Sequence, residues 1–197
     1  MRRRLLLILG AAAVLLVLAG GGFLVWRSLP YGVPRDQPVR TSSVARQMAY
    51  VQRWWKTPNP EYGTLGGTDC VDFTSQSLLA RGWRMDERWG TSVTLGRRAY
   101  APAWVSSTAM MRLLEDRPDL AEPVDATQVQ PGDIAQFDWD GSGDRDHTAV
   151  VSRVDRVDGG VDVRVAEHSP SGLHDSVAGR LKEYGSAARV YYWHLLR

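Results

Sequence analysis

The chain has 197 residues, of which 44% are hydrophobic, and this is enough for one domain with a sizeable core. Its 24 basic residues slightly outnumber its 22 acidic ones, but four of the arginines flank an N-terminal apolar run, and beyond that run acidic residues are in the majority. No basic block is interleaved with aromatic residues, so the composition argues against nucleic-acid binding.

The N-terminal apolar run extends from Leu5 to Trp26 without a charged residue. At about 1.5 Å per residue, a helix of this length crosses a hydrocarbon core of roughly 30 Å. Three arginines precede the run and only Arg27 directly follows it, so the positive-inside rule predicts a cytoplasmic N-terminus and an external domain. We therefore expect residues 1–27 to form a single-pass membrane anchor. The alternative is a signal peptide cleaved near Ala19, which leaves the domain outside the membrane as well.

Residues 28–40 contain three prolines among glycine and charged residues, which is typical of an extended linker. We place the start of the domain near Thr41, so the predicted domain covers residues 41–197. It contains one cysteine and therefore no internal disulfide.

Helices are predicted in the first half of the domain and strands in the second. Apolar spacings of three and four, with Ser, Thr or Pro at the starts, indicate helices at about 41–55, 69–80 and 102–116. Alternating or β-branched runs indicate strands at about 134–139, 148–154, 161–166 and 190–195. Segregated helices and strands predict an α+β domain with an antiparallel sheet.

Cys70 is the candidate nucleophile. Thr68 as N-cap and Gly82 as C-cap place it in the first turn of the second helix. Free backbone N–H groups and the positive end of the helix dipole stabilise a thiolate at such a position. The same N–H groups are suited to bind the oxyanion that forms during acyl transfer. A buried, unreactive cysteine is the structural alternative.

His147 is the candidate base, because it opens a predicted strand directly after an acidic, glycine-rich loop. A third residue is needed to orient its ring, and Glu167 and His168 are adjacent candidates. Strand alternation groups Glu167 with Val163 and Val165 on the core-facing side and His168 on the opposite side. A bulge at the strand end would reverse this assignment, so alternation alone leaves both open.

The segment from Thr68 to Leu78, TDCVDFTSQSL, resembles the D-C-x-N-F-x-S-Q signature of the putative amidase domain family. That family is similar to the NlpC/P60 and CHAP peptidases of the papain-like superfamily. Further similar segments lie at 131–134, 146–151, 166–169 and 191–194, so the resemblance covers nearly all of the predicted domain. It implies a papain-like fold with Cys70 as nucleophile, His147 as base and His168 as the third catalytic residue.

We expect the domain to hydrolyse an amide bond through a thioester, with no cofactor and no metal. Its external location makes peptidoglycan peptides a natural substrate class. Asp72 stands where the family usually has asparagine, and an ionised acid there would oppose thiolate formation. This departure favours an alternative in which a catalytically inactive domain binds a cell-wall polymer or a protein. A zinc site formed by Cys70, His147 and His168 is a further alternative, although no typical zinc-ligand spacing supports it.

Overall fold

The computed structural model describes residues 42–197, and the predicted anchor (1–27) and linker (28–40) lie outside this range. Within residues 42–197, none of the helices combines the length and apolar character that a membrane span requires.

The described residues form five α-helices, a short 3₁₀ turn (Gly66–Thr68) and eight strands. The helices are α1 (Ser43–Trp54), α2 (Cys70–Arg81), α3 (Pro102–Val105), α4 (Ser107–Glu115) and α5 (Val177–Tyr184). The strands are β1 (Thr91–Thr94), β2 (Arg97–Tyr100), β3 (Ala121–Val124), β4 (Ile134–Asp138), β5 (His147–Val157), β6 (Gly160–Glu167), β7 (Gly172–Ser176) and β8 (Arg189–Leu195).

Six of the strands form one antiparallel sheet in the order β3-β8-β4-β5-β6-β7, while β1 and β2 form a separate hairpin. Both faces of the large sheet are covered by apolar side chains. Four of the five helices precede this sheet in the chain. The expected α+β class and antiparallel sheet are confirmed.

Helix α2 is buried on nearly all sides, since every residue from Cys70 to Leu78 is inaccessible to solvent or almost so. It packs against α1, α3 and the sheet strand β5. A helix covered all round shows little amphipathic character in its sequence. It ends at Gly82, whose φ of 119° lies in the left-handed region that favours glycine.

The third predicted helix differs from expectation, because it is divided at Ser106. Residues Pro102–Val105 form a single turn, and Ser106 then adopts an extended conformation with φ −119° and ψ 124°. The Ser106 hydroxyl accepts a hydrogen bond from the N–H of Ala109 at 3.3 Å and so caps a new helix, α4. The division places Ser107 at the start of a helix instead of in the middle of one.

Candidate active site

Cys70 is the first residue of α2, and only 7% of it is exposed. Asp69 is the N-cap residue, but its side chain makes no capping hydrogen bond to the helix. The first N–H groups of a helix have no partner within the helix, so those of α2 are available near the sulfur. The structure confirms that Cys70 lies in the first turn of a helix. The N-cap, however, is Asp69 and not the predicted Thr68, so Cys70 is one residue closer to the helix start than the sequence indicated.

His147 is the first residue of β5; its ring is hydrogen-bonded to Glu167 and interacts with the Cys70 thiol. Nε2 lies 2.7 Å from Glu167 Oε2, which leaves Nδ1 as the nitrogen for the sulfur. Burial lowers the pKa of His147. The interactions with Cys70 and Glu167 raise the pKa by more than burial lowers it, so the resulting value is about 9.

The pKa of the Cys70 thiol is shifted in the opposite direction. Burial raises it, but the hydrogen bond and charge of His147, together with hydrogen bonds from the Thr148 backbone and Ser107, bring the pKa below its usual value. A histidine with a raised pKa beside a thiol with a lowered pKa favours a thiolate–imidazolium pair at neutral pH.

Glu167 ends β6 and is held from its other side by Arg180 of α5. Arg180 Nε donates to Glu167 Oε1 at 2.9 Å, and the same guanidinium contacts Asp175 at 3.0 Å. Burial raises the pKa of Glu167, but the contacts to His147 and Arg180 lower it below its usual value. Glu167 is therefore an ionised, buried acceptor for the His147 ring.

His168 does not occupy the position that the resemblance implied. Its Nδ1 lies 3.0 Å from Asp69 Oδ2, its Nε2 lies 2.8 Å from the Trp54 carbonyl oxygen, and its ring stacks on Phe73 with centroids 4.1 Å apart. Both ring nitrogens thus face acceptors outside the Cys70–His147 pair. The residue hydrogen-bonded to the His147 ring in the structure is Glu167.

Strand alternation explains this assignment. The two register shifts beside β6 insert their extra residues into the neighbouring strands, namely Ser152 in β5 and His174 in β7. Because β6 itself has no extra residue, Glu167 keeps the face of Val163 and Val165. His168 consequently points away from His147.

The Asp69–His168 contact connects two segments of the site. Asp69 precedes Cys70, His168 follows Glu167, and Ser169 also donates to the Asp69 carboxylate. Burial raises the pKa of Asp69, but the hydrogen bonds from His168 and Ser169 lower it overall. Burial lowers the pKa of His168, but Asp69 and the Trp54 carbonyl raise it overall. The contact is therefore a buried ion pair that ties the turn before Cys70 to the end of β6.

The Asp72 carboxyl group is turned away from the Cys70–His147 pair. Its Oδ1 accepts a hydrogen bond from Trp104 Nε1 at 2.5 Å, and its Oδ2 accepts one from Gln76 Nε2 at 2.7 Å. Burial is the largest influence on Asp72 and raises its pKa, against the lowering effect of these two donors. The carboxyl group is thus occupied by neutral donors and makes no hydrogen bond to Cys70.

Cys70, His147 and Glu167 line a cleft of about 560 Å³. Trp139 forms part of its wall, with its ring 6.0 Å from the His147 ring and 3.9 Å from the Tyr184 ring.

Sequence reasoning missed these aromatic residues, and it also missed Ser107, Gln136 and Arg180. Gln136 had the clearest signal, since it is a polar residue in the middle of a strand, directly between the apolar residues Ala135 and Phe137.

The zinc alternative is not supported by the geometry, because His168 is bonded to Asp69 and Trp54 and does not converge with Cys70 and His147. The remaining two histidines also lie elsewhere, His174 against Ser152 and His194 against Asp133.

These features define an α+β domain with a buried Cys–His–Glu line at the edge of a cleft. Residues 41–193 match the family model described as "Putative amidase domain", and the chain belongs to this family. A similar protein is the "Uncharacterized protein YhbB" of Bacillus subtilis (strain 168), at 26% identity over 112 residues. The match covers 54% of this chain and 36% of that protein. No solved structure matches the chain significantly. Family membership indicates an amide hydrolase in general terms.

The Asp69–His168 pair predicts a pH-dependent effect on stability for His168→Ala. His168 has a raised folded pKa, so its contribution is fully present below about pH 6.5 and is lost as the pH rises through the folded value. Asp69 has a lowered folded pKa, so its contribution is present above about pH 4 and is lost in stronger acid. We expect His168→Ala to lower the free energy of unfolding by about 3 kcal/mol between those limits and by less at pH 9.

Urea unfolding at pH 5.5 and pH 9 measures this difference. His174→Ala is the matched control, since the His174 ring is bonded to the hydroxyl of Ser152 and not to a carboxylate. A loss of stability that is the same at both pH values for His168→Ala would contradict the ion-pair assignment.

Proposed function

We propose that the domain is a cysteine amidase or peptidase in which Cys70 is the nucleophile, His147 the general acid and base, and Glu167 the residue that orients His147. The observation that supports it most strongly is the position of His147, which is hydrogen-bonded at 2.7 Å to a buried carboxylate and interacts with the buried Cys70 thiol in the same cleft. This is the geometry that nucleophilic acyl transfer requires.

The first half of the reaction follows from these positions. The Cys70 thiolate attacks the carbonyl carbon of the amide, and the backbone N–H groups at the start of α2 stabilise the oxyanion. His147, protonated in the ion pair, gives its proton to the leaving nitrogen as the C–N bond breaks. An amine leaves, and the acyl group remains on the sulfur as a thioester.

The second half reverses the role of the imidazole. Neutral His147 takes a proton from water, and the oxygen attacks the thioester carbon. The C–S bond then breaks, the carboxylic acid is released, and the thiolate–imidazolium pair is restored. Glu167 keeps Nε2 protonated throughout, so that Nδ1 is always the nitrogen that exchanges protons at the sulfur.

We further propose a papain-like fold, related to the NlpC/P60 and CHAP peptidases. A cysteine at the start of a helix and a histidine at the start of a following antiparallel strand support this relationship.

The position of Asp72 weakens the argument for an inactive binding domain, because its carboxyl group is bonded to Trp104 and Gln76 and not to the thiol.

For the substrate, we propose peptidoglycan peptides acted on by a membrane-tethered enzyme outside the cytoplasm. The apolar run Leu5–Trp26 supports the tether. Within residues 42–197, the cleft residue Arg145 has no acidic partner and stacks on Tyr191 with its guanidinium carbon 3.5 Å from the ring centre. The guanidinium also donates to the Gly143 carbonyl oxygen at 2.8 Å, and a guanidinium that is held in place without a carboxylate partner favours a substrate that carries one.

Incubation of the full-length protein with peptidoglycan and with a library of peptide amides tests this proposal. We expect release of free amines and new carboxyl groups, and loss of this activity by about a thousandfold or more in Cys70→Ala. Circular dichroism shows whether the variant is folded. An unchanged rate in folded Cys70→Ala would exclude Cys70 as the nucleophile, and no turnover of either substrate by wild type would favour a binding role.

Replacement of the two candidates for the third residue distinguishes their roles. Glu167→Gln offers an N–H to His147 Nε2, which stabilises the tautomer with the proton on the wrong nitrogen, so we expect kcat to fall by about a hundredfold or more. His168→Ala should keep kcat within a few-fold in its folded fraction, because His168 does not contact His147. A large loss of kcat in His168→Ala with near-normal Glu167→Gln would reverse the assignment.

A further inference from the structure

A row of buried polar side chains leads from β8 to the sulfur of Cys70. Trp193 Nε1 lies 3.0 Å from Gln136 Oε1, and Gln136 Nε2 lies 3.1 Å from Thr148 Oγ1. Thr148 Oγ1 lies 2.9 Å from Ser107 Oγ, which in turn lies 3.9 Å from Cys70 Sγ. No member of the row is more than 7% exposed, so water does not compete for these hydrogen bonds.

The orientation of the Gln136 amide determines which groups in this row donate and which accept hydrogen bonds. An indole N–H can only donate, so the side-chain atom that faces Trp193 must be the amide oxygen. On the other side, the amide nitrogen lies 2.9 Å from the backbone carbonyl oxygen of Ser107, which can only accept. Both neighbours therefore impose the same orientation on the Gln136 amide.

This orientation determines the hydroxyl hydrogens that follow. The second N–H of Gln136 donates to Thr148 Oγ1, so the Thr148 hydroxyl donates its own hydrogen to Ser107 Oγ. Ser107 Oγ accepts from Thr148, and within residues 42–197 its remaining partner is Cys70 Sγ. The Ser107 hydrogen is consequently directed at the sulfur.

We propose that Ser107 donates a hydrogen bond to the Cys70 thiolate, and that Trp193, Gln136 and Thr148 are positioning residues that keep this donor pointed at the sulfur. The inference rests on the proposed role of Cys70 as nucleophile and adds a group that sets its reactivity.

The direction of this last hydrogen bond has a chemical consequence. A donor to sulfur stabilises the thiolate relative to the thiol, whereas an acceptor from the S–H group would stabilise the thiol. Because Cys70 is buried, the charged form needs such donors to offset its loss of hydration. Thr148 contributes twice, with its backbone N–H at the sulfur and its hydroxyl at Ser107.

The break in the helix at Ser106 makes this contact possible. Ser107 is the first residue of α4, where its side chain reaches the cleft that contains Cys70 and His147. In one continuous helix from Pro102 to Asp116, Ser107 would lie in the interior, where serine hydroxyls often bond back to the helix's own carbonyl groups.

The pH dependence of Cys70 alkylation by iodoacetamide in the full-length protein tests the proposal. Because the chain has one cysteine, alkylation reports on Cys70 alone. We expect Ser107→Ala to raise the apparent pKa of the thiol by about one, which slows alkylation about tenfold at a pH well below that value. A lowered pKa would show that Ser107 is an acceptor, and an unchanged pKa would show that it does not act on the sulfur; either result overturns the proposal.

A pair of substitutions at Thr148 tests the direction independently and decides the matter if Ser107→Ala does not fold. Thr148→Val keeps the side-chain shape and the backbone N–H but no longer holds Ser107, so we expect a smaller rise in the thiol pKa. Thr148→Ser restores the hydroxyl and should restore the wild-type profile. Equal pH profiles of alkylation for the valine and serine variants would contradict the proposed direction of the hydrogen bonds in this row.

Ser152→Ala is the matched control, because it also removes a buried hydroxyl group from β5. This hydroxyl is hydrogen-bonded to the Arg164 carbonyl oxygen and the His174 ring and not to the row that leads to Cys70. The substitution should leave alkylation unchanged. Alkylation needs no substrate, so failure of the protein to hydrolyse amides would leave this result standing, and a normal Ser107→Ala profile would not affect the hydrolysis experiment.

Discussion

The 2.7 Å contact between His147 and Glu167 is the interaction on which the site depends. All three residues of the Cys–His–Glu line are buried, so each pays a hydration penalty when it is charged. Glu167 is stabilised as an anion by Arg180. In the proposed mechanism this anion stabilises the imidazolium of His147, which in turn stabilises the thiolate of Cys70. The charges therefore alternate from Arg180 to the sulfur, and removing one of them leaves its neighbour unpaired in a poorly solvated site.

The position of Cys70 depends on how α2 is fixed along its length. Its N-terminal turn is tied to β6 through Asp69 and His168, and its first full turn is tied to α3 through Asp72 and Trp104. At its C-terminal end, Arg81 donates to Gln47 and to the Leu195 carbonyl oxygen, each at 2.8 Å. These buried polar contacts are directional, so they define the rotation and translation of the helix more narrowly than apolar packing does. The acidic residues around Cys70 thus position the helix.

Local signals in the sequence were sufficient to locate Cys70 and His147. Gly82 marked the end of α2, the predicted N-cap Thr68 lay one residue before the actual N-cap Asp69, and the turn-rich loop before His147 marked the start of β5. Strand alternation placed Glu167 on the core-facing side but could not decide between it and His168, because only the structure shows that β6 contains no extra residue. The family resemblance pointed to His168. The β1–β2 hairpin and the edge strands β3 and β7 were not predicted, since each has only four or five residues and shows little hydrophobic periodicity.

Other parts of the site depend on contacts between segments that are distant in sequence. The roles of Ser107, Gln136 and Arg180 arise only when α4, β4 and α5 meet around β5 and β6, and no local pattern encodes that meeting. The break at Ser106 was also missed, because the apolar spacing continues through it while the capping hydroxyl acts within the next turn. Buried polar residues in otherwise apolar segments were the main clue that remained unused.

The protonation state of His147 tests the central claim most directly. Nitrogen-15 NMR of histidine-labelled protein, with the His147 signal assigned by its loss in His147→Ala, reports the charge of this ring as the pH is varied. We predict an imidazolium at pH 7, with a pKa of about 9 in wild type that falls in Cys70→Ala, where the thiolate is removed. A neutral His147 ring at pH 7 in the wild-type protein would contradict the thiolate–imidazolium pair.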